Sequence, residues 1–145
     1  MAAHTFHCSL ITPAAEVLKD ELVYASIPAW DGLFGVLPGR APIVAKLGLG
    51  ELRLDFPSGG STRSRSFLVD DGFVQMVNNS LKILATRAIP VESITEADAK
   101  AALAEANSRI VPSDHPNRQA ELDKVSLERR RAELMLKLAR QGGSR

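Results

Sequence analysis

The sequence predicts a mainly β protein: an antiparallel β-sandwich or flattened barrel over residues 1–91, followed by an α-helical hairpin over residues 92–145. Apolar and polar residues alternate along short segments of the first two-thirds of the chain, as they do in half-buried strands. Clusters of Gly, Pro, Asn and Asp separate these segments, and no helix-period segment lies between them, which argues against a parallel sheet. After Pro90 the chain becomes rich in alanine, the strongest helix former.

The first strand is predicted in HTFHCSLI, residues 4–11, where the period is two. One face carries the apolar residues Phe6, Cys8 and Leu10. Cys8 is the only cysteine of the chain, so it forms neither an internal disulfide nor a cysteine-based metal site. We therefore predict that its thiol is buried as a small apolar side chain.

The later strands follow the same rule. In ELRLDF, residues 51–56, the inward side chains are predicted to be Leu52, Leu54 and Phe56. Other segments interpreted as strands are LVYASIPA, PIVAKL, SFLVDD, GFVQMV and LKILATRAI. Predicted turns between them include Pro38-Gly39, Pro57-Ser58-Gly59-Gly60, Asp71-Gly72 and Asn78-Asn79. Arg63 and Arg65 are predicted to point outward from one strand and to form a solvated face.

The segment after Pro90 predicts two helices, over about residues 95–110 and 117–140, with PSDHPN as the break between them. Thr95 followed by Asp98 has the spacing of a helix cap. The stripe of the first helix is formed by Ala99, Ala102, Ala106 and Ile110; that of the second by Leu122, Val125, Ala132, Met135 or Leu136, and Ala139. Alanine methyl groups bury little area, so the hairpin is predicted to be marginally stable alone and to lean on the sandwich, on another protein, or to alternate between them. The segment QGGSR is predicted to be a frayed end.

Composition and motifs narrow the class of function. The hydrophobic fraction of 45% and charged fraction of 24% are ordinary for a folded protein, and a net charge of +1 argues against a chain-wide polyanion binder. We find no apolar run long enough to span a bilayer, no secretory signal, and none of the phosphate-loop, zinc-protease or nucleophile-elbow motifs. The residues alone therefore favour a binding protein without catalytic residues, metal or cofactor. The run Arg129-Arg130-Arg131 in the second helix suggests an acidic partner.

One long segment, DGLFGVLPGRAPIVAKLGLGELRL, resembles the epsilon-subunit family of the F-type rotary ATP synthases. The shared pattern is an acid-Gly pair at Asp31-Gly32, then Gly35-Val36-Leu37-Pro38-Gly39, then Ala41-Pro42, with Arg40 where many relatives carry histidine. FHCSLITPAAEVL resembles the family's first strand and the turn after it, and FLVDDGFVQMVNNSLKILATRAI resembles its glycine-marked strand and the valine-, leucine- and alanine-rich strand that follows. The tail resembles its helical hairpin. The resemblance thus covers nearly the whole chain.

The resemblance implies a non-catalytic subunit of the central stalk, coupling proton flow through the c-ring to ATP synthesis on the α/β hexamer. Its sandwich would bind the γ subunit and seat on the c-ring, and the expected contact residues are Asp31, Leu33, Arg40 and Pro42. The prolines and glycines of the loop would make a stiff edge. The protein would be a peripheral component on the cytoplasmic side of the bacterial inner membrane, without direct insertion into the bilayer.

The resemblance also implies a regulatory hairpin. In bacterial members of this family it can lie folded on the sandwich, or extend along γ and block rotation in the hydrolysis direction, when its basic helix meets an acidic loop of β. Here the expected regulatory contacts are Lys124, Arg129, Arg130, Arg131 and Lys137. Some relatives bind ATP through Ile-Asp-x-x-Arg-Ala at the start of the first helix. The corresponding stretch here has Thr95 in place of the aspartate and Asp98 in place of the arginine, so no nucleotide binding is expected.

Two other function classes remain open from the sequence. A nucleotide sensor is disfavoured by Asp98. An adaptor whose basic hairpin binds an acidic partner or nucleic acid is the main alternative, although a chain with one Trp and one Tyr offers no visible stacking platform, and we expect no nucleic acid. Copurification distinguishes the adaptor from a subunit of the stalk. A stalk subunit should copurify with γ, and an adaptor should copurify with nucleic acid.

Overall fold

The computed structural model describes residues 4–58 and 61–143. The chain divides into two compact units, Met1–Pro90 and Val91–Arg145. Gly59 and Gly60, predicted as part of a hairpin loop, and the last two residues of the predicted frayed end lie outside the described residues. The rest of that end, as far as Gly143, is helical.

The regular elements described in the first unit are all strands. Within the described residues they are β1 (Phe6–Ile11), β2 (Glu16–Leu22), β3 (Tyr24–Ala29), β4 (Gly32–Val36), β5 (Ile43–Lys46), β6 (Gly50–Ser58), β7 (Ser61–Val77) and β8 (Ser80–Pro90). They pair in the order β2-β1-β8-β7-β6-β3-β4, and β5 joins β7. All pairs are antiparallel except β1 with β8, which run parallel. The predicted β-sandwich followed by a helical hairpin is confirmed.

The alternation read from the sequence sets which side chains enter the core. In β1 the buried residues are Phe6, Cys8 and Leu10, each with none of its surface exposed. The three predicted inward residues of β6 are buried as well. One continuous hydrophobic core is formed from these residues together with side chains of β2, β3, β4, β7 and β8. Alternation breaks at Asp55, which is also buried. Its carboxylate accepts hydrogen bonds from Ser64 Oγ (2.7 Å) and Arg53 Nε (3.1 Å), which offset the cost of removing it from water.

Strand β7 bends in its middle and pairs with two different strands on one side. Its first part pairs with β6, up to Val69 opposite Gly50, and its last part pairs with β5, from Phe73 opposite Lys46. At the bend Asp71 and Gly72 have φ angles of 52° and 133°. A Cβ on Gly72 would overlap the backbone carbonyl oxygen of Leu84, so this position requires glycine.

The predicted turn at Asp71-Gly72 is therefore wrong. The two segments SFLVDD and GFVQMV belong to one strand of 17 residues. Pairing with β8 continues on both sides of the bend, with Asp70 opposite Arg87 and Gly72 opposite Ala85. Residues with turn propensity bend the strand here without reversing it, because β8 holds it in register.

Arg63 is exposed, as predicted for a solvated strand face, and Arg65 is half-buried, but the predicted side of the sheet is wrong for both. Arg63 pairs with Phe56 and Arg65 with Leu54, and directly opposed residues share one face of a sheet. Both arginines thus lie on the face that carries the core. The Arg63 guanidinium carbon is 5.4 Å from the Phe56 ring centroid, and that of Arg65 is 4.9 Å from the Phe67 ring centroid. Their aliphatic stems and cationic heads cover aromatic rings of the core.

The second unit begins with a short 3-10 helix, Val91–Ser93, and continues with α1 (Glu96–Ser108) and α2 (Arg118–Gly143). Thr95 caps α1, since its Oγ1 accepts from the Asp98 N–H at 3.1 Å, as its spacing predicts. The helices pack against each other, and Ala99 and Ala106 of α1 are buried as predicted. Ile110 lies beyond the end of α1 and is 88% exposed, so its predicted place in the stripe is wrong.

The two helices of the hairpin are also joined by ion pairs. Arg140 Nε of α2 lies 3.3 Å from Glu96 Oε1, which also contacts Lys100 Nζ at 3.3 Å. Near the other end, Arg109 Nη1 lies 3.1 Å from Glu128 Oε2. All these side chains are partly exposed, so each pair contributes little by itself.

Candidate partner-binding surface

The loop that carries the Pro-Gly pair connects β4 to β5 and is closed by a tight turn. The Arg40 N–H donates to the Leu37 carbonyl at 3.2 Å, Pro38 follows Leu37, and Gly39 has a φ of 80°. Proline at the second position and a positive φ at the third are the features of a type II turn. The sequence encodes the turn locally, because proline presets one φ and glycine allows the other.

An apolar rim lies beside this loop, where the β3–β4 turn meets β5. Trp30 is 72% exposed and Leu33 is 70% exposed. A groove of about 480 Å³ opens here and is lined by residues 29–34 and 43–46. Within this lining Asp31 and Lys46 are exposed and bring charges of opposite sign to the groove. We call this groove with Trp30 and Leu33 the rim groove.

A second set of exposed apolar side chains continues across the outer face of the sheet. Val44 of β5 is 69% exposed, Phe73 of β7 is 58% exposed, and Leu84 of β8 is 45% exposed. Phe73 pairs with Leu84 on one side and with Lys46 on the other, and Val44 lies two residues before Lys46 on the same face. These three side chains form the outer patch. Val44 belongs to both surfaces, so the rim groove and the outer patch are continuous.

Exposed apolar side chains gathered on one face are typical of sites where another protein binds. The outer patch was missed from the sequence, although a signal is present. Each residue of the outer patch is next to at least one apolar residue in the sequence, as in Ile43-Val44-Ala45, Phe73-Val74 and Ile83-Leu84-Ala85. Adjacent strand residues point to opposite faces, so an unbroken apolar run must expose one of them unless both faces are covered.

The structure brings together two of the four sandwich residues expected to contact partners. Asp31 and Leu33 both line the rim groove, whereas Arg40 and Pro42 are exposed but lie outside its lining. The Arg40 guanidinium carbon is 6.0 Å from the centroid of the Phe34 ring, and Phe34 is itself a lining residue. Arg40 therefore stands at the border of the groove.

The five basic residues expected to act in the hairpin all lie on α2, but not on one side of it. Lys124, Arg129, Arg130 and Lys137 are exposed, and Arg131 is half-buried. At 3.6 residues per turn, side chains seven apart share a side. Lys124 and Arg131 therefore form one pair and Arg130 and Lys137 a second. Arg129 lies about 90° around the helix from the second pair, on the side away from the first.

A metal site or a reactive thiol would place specific requirements on the side chains in the described part of the chain. No group of three His, Cys, Asp or Glu side chains that could hold a metal ion is present among these residues. Burial, and to a smaller extent the charge of Asp20, raises the pKa of the Cys8 thiol to about 12, which keeps it protonated and unreactive. The predicted burial of Cys8 is confirmed.

Neither helix in the described ranges is apolar and long enough to cross a bilayer.

Comparison with known proteins gives consistent matches along the chain. Residues 5–91 match the family model for the ATP synthase delta/epsilon chain, β-sandwich domain. An ATP synthase epsilon chain of Rhodopirellula baltica is 35% identical over 130 residues, covering 90% of this chain and 96% of the relative. One from Myxococcus xanthus is 32% identical over 125 residues, covering 86% of this chain and 89% of the relative.

Solved structures share the fold. A chain in the Euglena gracilis mitochondrial ATP synthase (OSCP/F1/c-ring, rotational state 1) superposes with a TM-score of 0.75 at 21% identity, covering 91% of this chain and 79% of that one. A chain in the Tetrahymena thermophila mitochondrial ATP synthase central stalk and c-ring gives a TM-score of 0.65 at 16% identity, covering 92% and 95%.

Proposed function

The chain belongs to the family of ATP synthase epsilon chains, and from this premise we propose that it works in the central stalk by binding γ and the c-ring through its sandwich. It is a non-catalytic subunit of the F-type enzyme, whose rotor couples proton flow to ATP synthesis. The observation that carries the proposal is the continuous exposed surface made by the rim groove and the outer patch. A stalk subunit needs such a surface more than it needs reactive groups.

The shapes of the outer patch and the rim groove suit different partners. The outer patch is a sheet face and suits a broad contact with another folded subunit, for which γ is the candidate. The rim groove lies at a turn with Trp30, Asp31 and Leu33 exposed, and suits a narrower contact with loops of the c-ring. Arg40 and Pro42 border the groove and would contribute at the junction of the two partners.

Copurification tests this assignment. When the chain is coexpressed with α, β and γ, an affinity tag on it should recover γ together with the catalytic subunits. The purified chain should hydrolyse no ATP by itself. Recovery of the tagged, folded chain without γ would contradict the proposal, and so would turnover of a substrate by the chain alone.

The basic residues of α2 support a proposal about regulation. Their division into Lys124 with Arg131, and Arg130 with Lys137, means that a single acidic loop of β would meet one pair rather than all five. The exposed pair Arg130 and Lys137 is the better candidate, because Arg131 is already half-buried and engaged within the chain. Exposed charge pairs contribute about 0.2–1 kcal/mol each, enough to shift hairpin states that differ by a few kcal/mol.

Charge reversal tests the regulatory proposal in the assembled enzyme. Arg130→Glu with Lys137→Glu should raise ATP hydrolysis if the hairpin inhibits through this pair. Lys19→Glu, an exposed charge reversal on β2, serves as the control and should leave hydrolysis unchanged. Equal hydrolysis by the hairpin variant and wild type would contradict the proposal.

We further propose that the isolated chain binds ATP weakly or not at all. The Thr95 hydroxyl is used in capping α1, and Asp98 and Glu96 place two acids in the first turn of that helix. These carboxylates would repel a phosphate group at the position where some relatives carry arginine. Calorimetry should detect no binding at micromolar concentrations, and a micromolar dissociation constant would refute the proposal.

The similar epsilon chains come from bacteria. On that basis we propose that the chain is a peripheral component on the cytoplasmic side of the inner membrane, attached through the rest of the enzyme. Membrane fractionation of cells that lack both γ and the c-ring subunit tests this, because the chain should then leave the membrane fraction. Retention on membranes without γ and the c-ring would contradict it.

A further inference from the structure

One side-chain amide joins three segments that are far apart in sequence. The Gly39 N–H, in the loop between β4 and β5, donates to Asn79 Oδ1 at 2.8 Å. The same amide donates from Nδ2 to the carbonyl oxygen of Thr5 at 2.8 Å. The backbone carbonyl of Asn79 accepts from the His7 N–H at 3.1 Å. Asn79 therefore fastens the loop between β4 and β5 to the start of β1.

The hydrogen bond to Gly39 acts on the one peptide group that defines the turn. Type I and type II turns differ by a flip of their central peptide, which here joins Pro38 to Gly39. The N–H of that peptide belongs to Gly39, and the turn's own bond from the Arg40 N–H to the Leu37 carbonyl leaves it unused. By accepting this N–H, Asn79 Oδ1 favours the type II orientation over the alternative.

The turn between β7 and β8, formed by Asn78 and Asn79, holds the side-chain amide of Asn79 in place. Asn78 and Asn79 have φ angles of 51° and 60°, as in the two-residue type I′ turns of β-hairpins, and the pair Val77–Ser80 closes the hairpin. Asparagine is tolerated at positive φ, so both positions suit it. Only Asn79 uses its side chain: no side-chain hydrogen bond of Asn78 is found within the described ranges.

We propose that Asn79 is a positioning residue for partner binding, which presets the turn so that Leu37 and Arg40 face the partner before contact. This rests on the proposed function, in which the loop meets γ and the c-ring. Leu37 is 60% exposed and Arg40 is exposed above the Phe34 ring. A loop that is ordered before binding loses less conformational entropy when it docks, and so binds more tightly.

Matched glycine variants isolate the amide from the backbone. Asn79→Gly keeps the positive φ without strain and removes only the side-chain bridge. Asn78→Gly makes the same change at the neighbouring position of the same turn and is the control. Binding to ATP synthase depleted of this subunit should weaken about two- to tenfold for Asn79→Gly, the range that corresponds to one net hydrogen bond. Asn78→Gly should bind as wild type does.

A double-mutant cycle separates positioning from general stability. In a background of Leu37→Ala with Arg40→Ala, the side chains that Asn79 positions are gone, so adding Asn79→Gly should cause little further loss of affinity. An undiminished loss in that background would overturn the proposal, as would wild-type affinity of Asn79→Gly alone.

Hydrogen exchange in the free chain tests the role of Asn79 without any binding partner. Hydrogen exchange at the Gly39 amide should be faster in Asn79→Gly than in wild type and unchanged in Asn78→Gly. Unchanged exchange at Gly39 in Asn79→Gly would overturn the positioning role even if the wild-type chain binds the enzyme. If exchange changes as expected but the wild-type chain fails to bind, the proposed function and the positioning role that rests on it are both overturned.

Discussion

Gly72 and Gly32 have nearly the same φ angle and different surroundings. Their φ angles are 133° and 134°, yet a Cβ on Gly32 would meet nothing within 4 Å, whereas one on Gly72 would overlap the Leu84 carbonyl oxygen. Both alanine variants therefore share the backbone strain of about 1–3 kcal/mol. Only Gly72→Ala adds a steric clash in the middle of β7.

We expect Gly72→Ala to lower the free energy of unfolding more than Gly32→Ala, by at least about 1 kcal/mol beyond the shared strain. Urea unfolding of the intact chain, followed by circular dichroism, measures the difference. Equal losses in the two variants would show that the bend at Gly72 has room for a side chain and would contradict this account of β7.

For single residues, the sequence predicted which side chains are buried better than it predicted which face of the sheet a side chain occupies. Cys8 was placed correctly because alternation along one strand is a local property. Arg63 and Arg65 were placed on the wrong face because their direction depends on register with β6 and on the aromatic rings of Phe56 and Phe67. Register is the alignment of one strand with its neighbour, and the residue pattern within a single strand does not determine it.

Between elements, the two helices of the hairpin pack through small side chains, which leave little room for larger ones. Ala106 of α1 is 3% exposed, while Ala104 on the same helix is exposed. Leucine and alanine are both strong helix formers, so propensity hardly separates two Ala→Leu variants. Ala106→Leu should destabilise the hairpin by about 1–3 kcal/mol through overpacking. Ala104→Leu should change it by less than about 0.5 kcal/mol.

Amide hydrogen exchange along α1 and α2 in the intact chain checks this pair. Faster exchange is expected throughout the hairpin for Ala106→Leu and not for Ala104→Leu. Equal protection in both variants would mean that the buried alanines do not set the approach of the helices.

The contacts of Glu96 predict how the hairpin responds to acid. Hydrogen bonds from Lys100 and then Arg140, together with their charges, lower the pKa of the Glu96 carboxyl in the folded chain. A carboxyl with a lowered folded pKa adds stability above its unfolded pKa of about 4.3. That stability is lost as the pH falls through the folded pKa. The effect is small, since the pair is exposed to solvent.

Glu96→Gln should therefore melt at a lower temperature than wild type near neutral pH, and this difference should vanish in acid. Thermal melting followed by the helical circular dichroism signal measures it. Glu133→Gln is the control, because Glu133 is exposed on α2 and has no ion pair within the described residues. A gap between wild type and Glu96→Gln that persists below the folded pKa would contradict the role of this carboxylate.

The prediction of strands from the sequence was wrong where two predicted strands, SFLVDD and GFVQMV, form the single strand β7. Asp71-Gly72 has the composition of a turn, and the distinction between a bend and a reversal lies in β8, which pairs on both sides of it. The cap at Thr95 was predicted correctly, because all of its atoms lie within four residues. Local chemistry encodes caps and turns, whereas pairing partners decide how a long strand continues.

For the whole molecule, the sandwich and hairpin followed from the two periods of the sequence, and the family likeness was visible in one loop and the order of the elements. The continuous exposed surface was only half predicted. Asp31 and Leu33 of the rim were expected, but Val44, Phe73 and Leu84 were not. They come from three strands, and only the register that places β5 and β8 beside β7 makes them neighbours.

We propose that this chain works by binding the stalk through the exposed apolar surface of its sandwich. Titration of F1 depleted of this subunit, which retains γ, tests it most directly, with wild type compared with Phe73→Ser and Ile110→Ser. Both variants remove a large exposed apolar side chain, the first from the outer patch and the second from the hairpin unit. We expect a saturable complex that is weakened by Phe73→Ser and not by Ile110→Ser; equal affinity of all three chains, or no complex with the folded wild type, would contradict the claim.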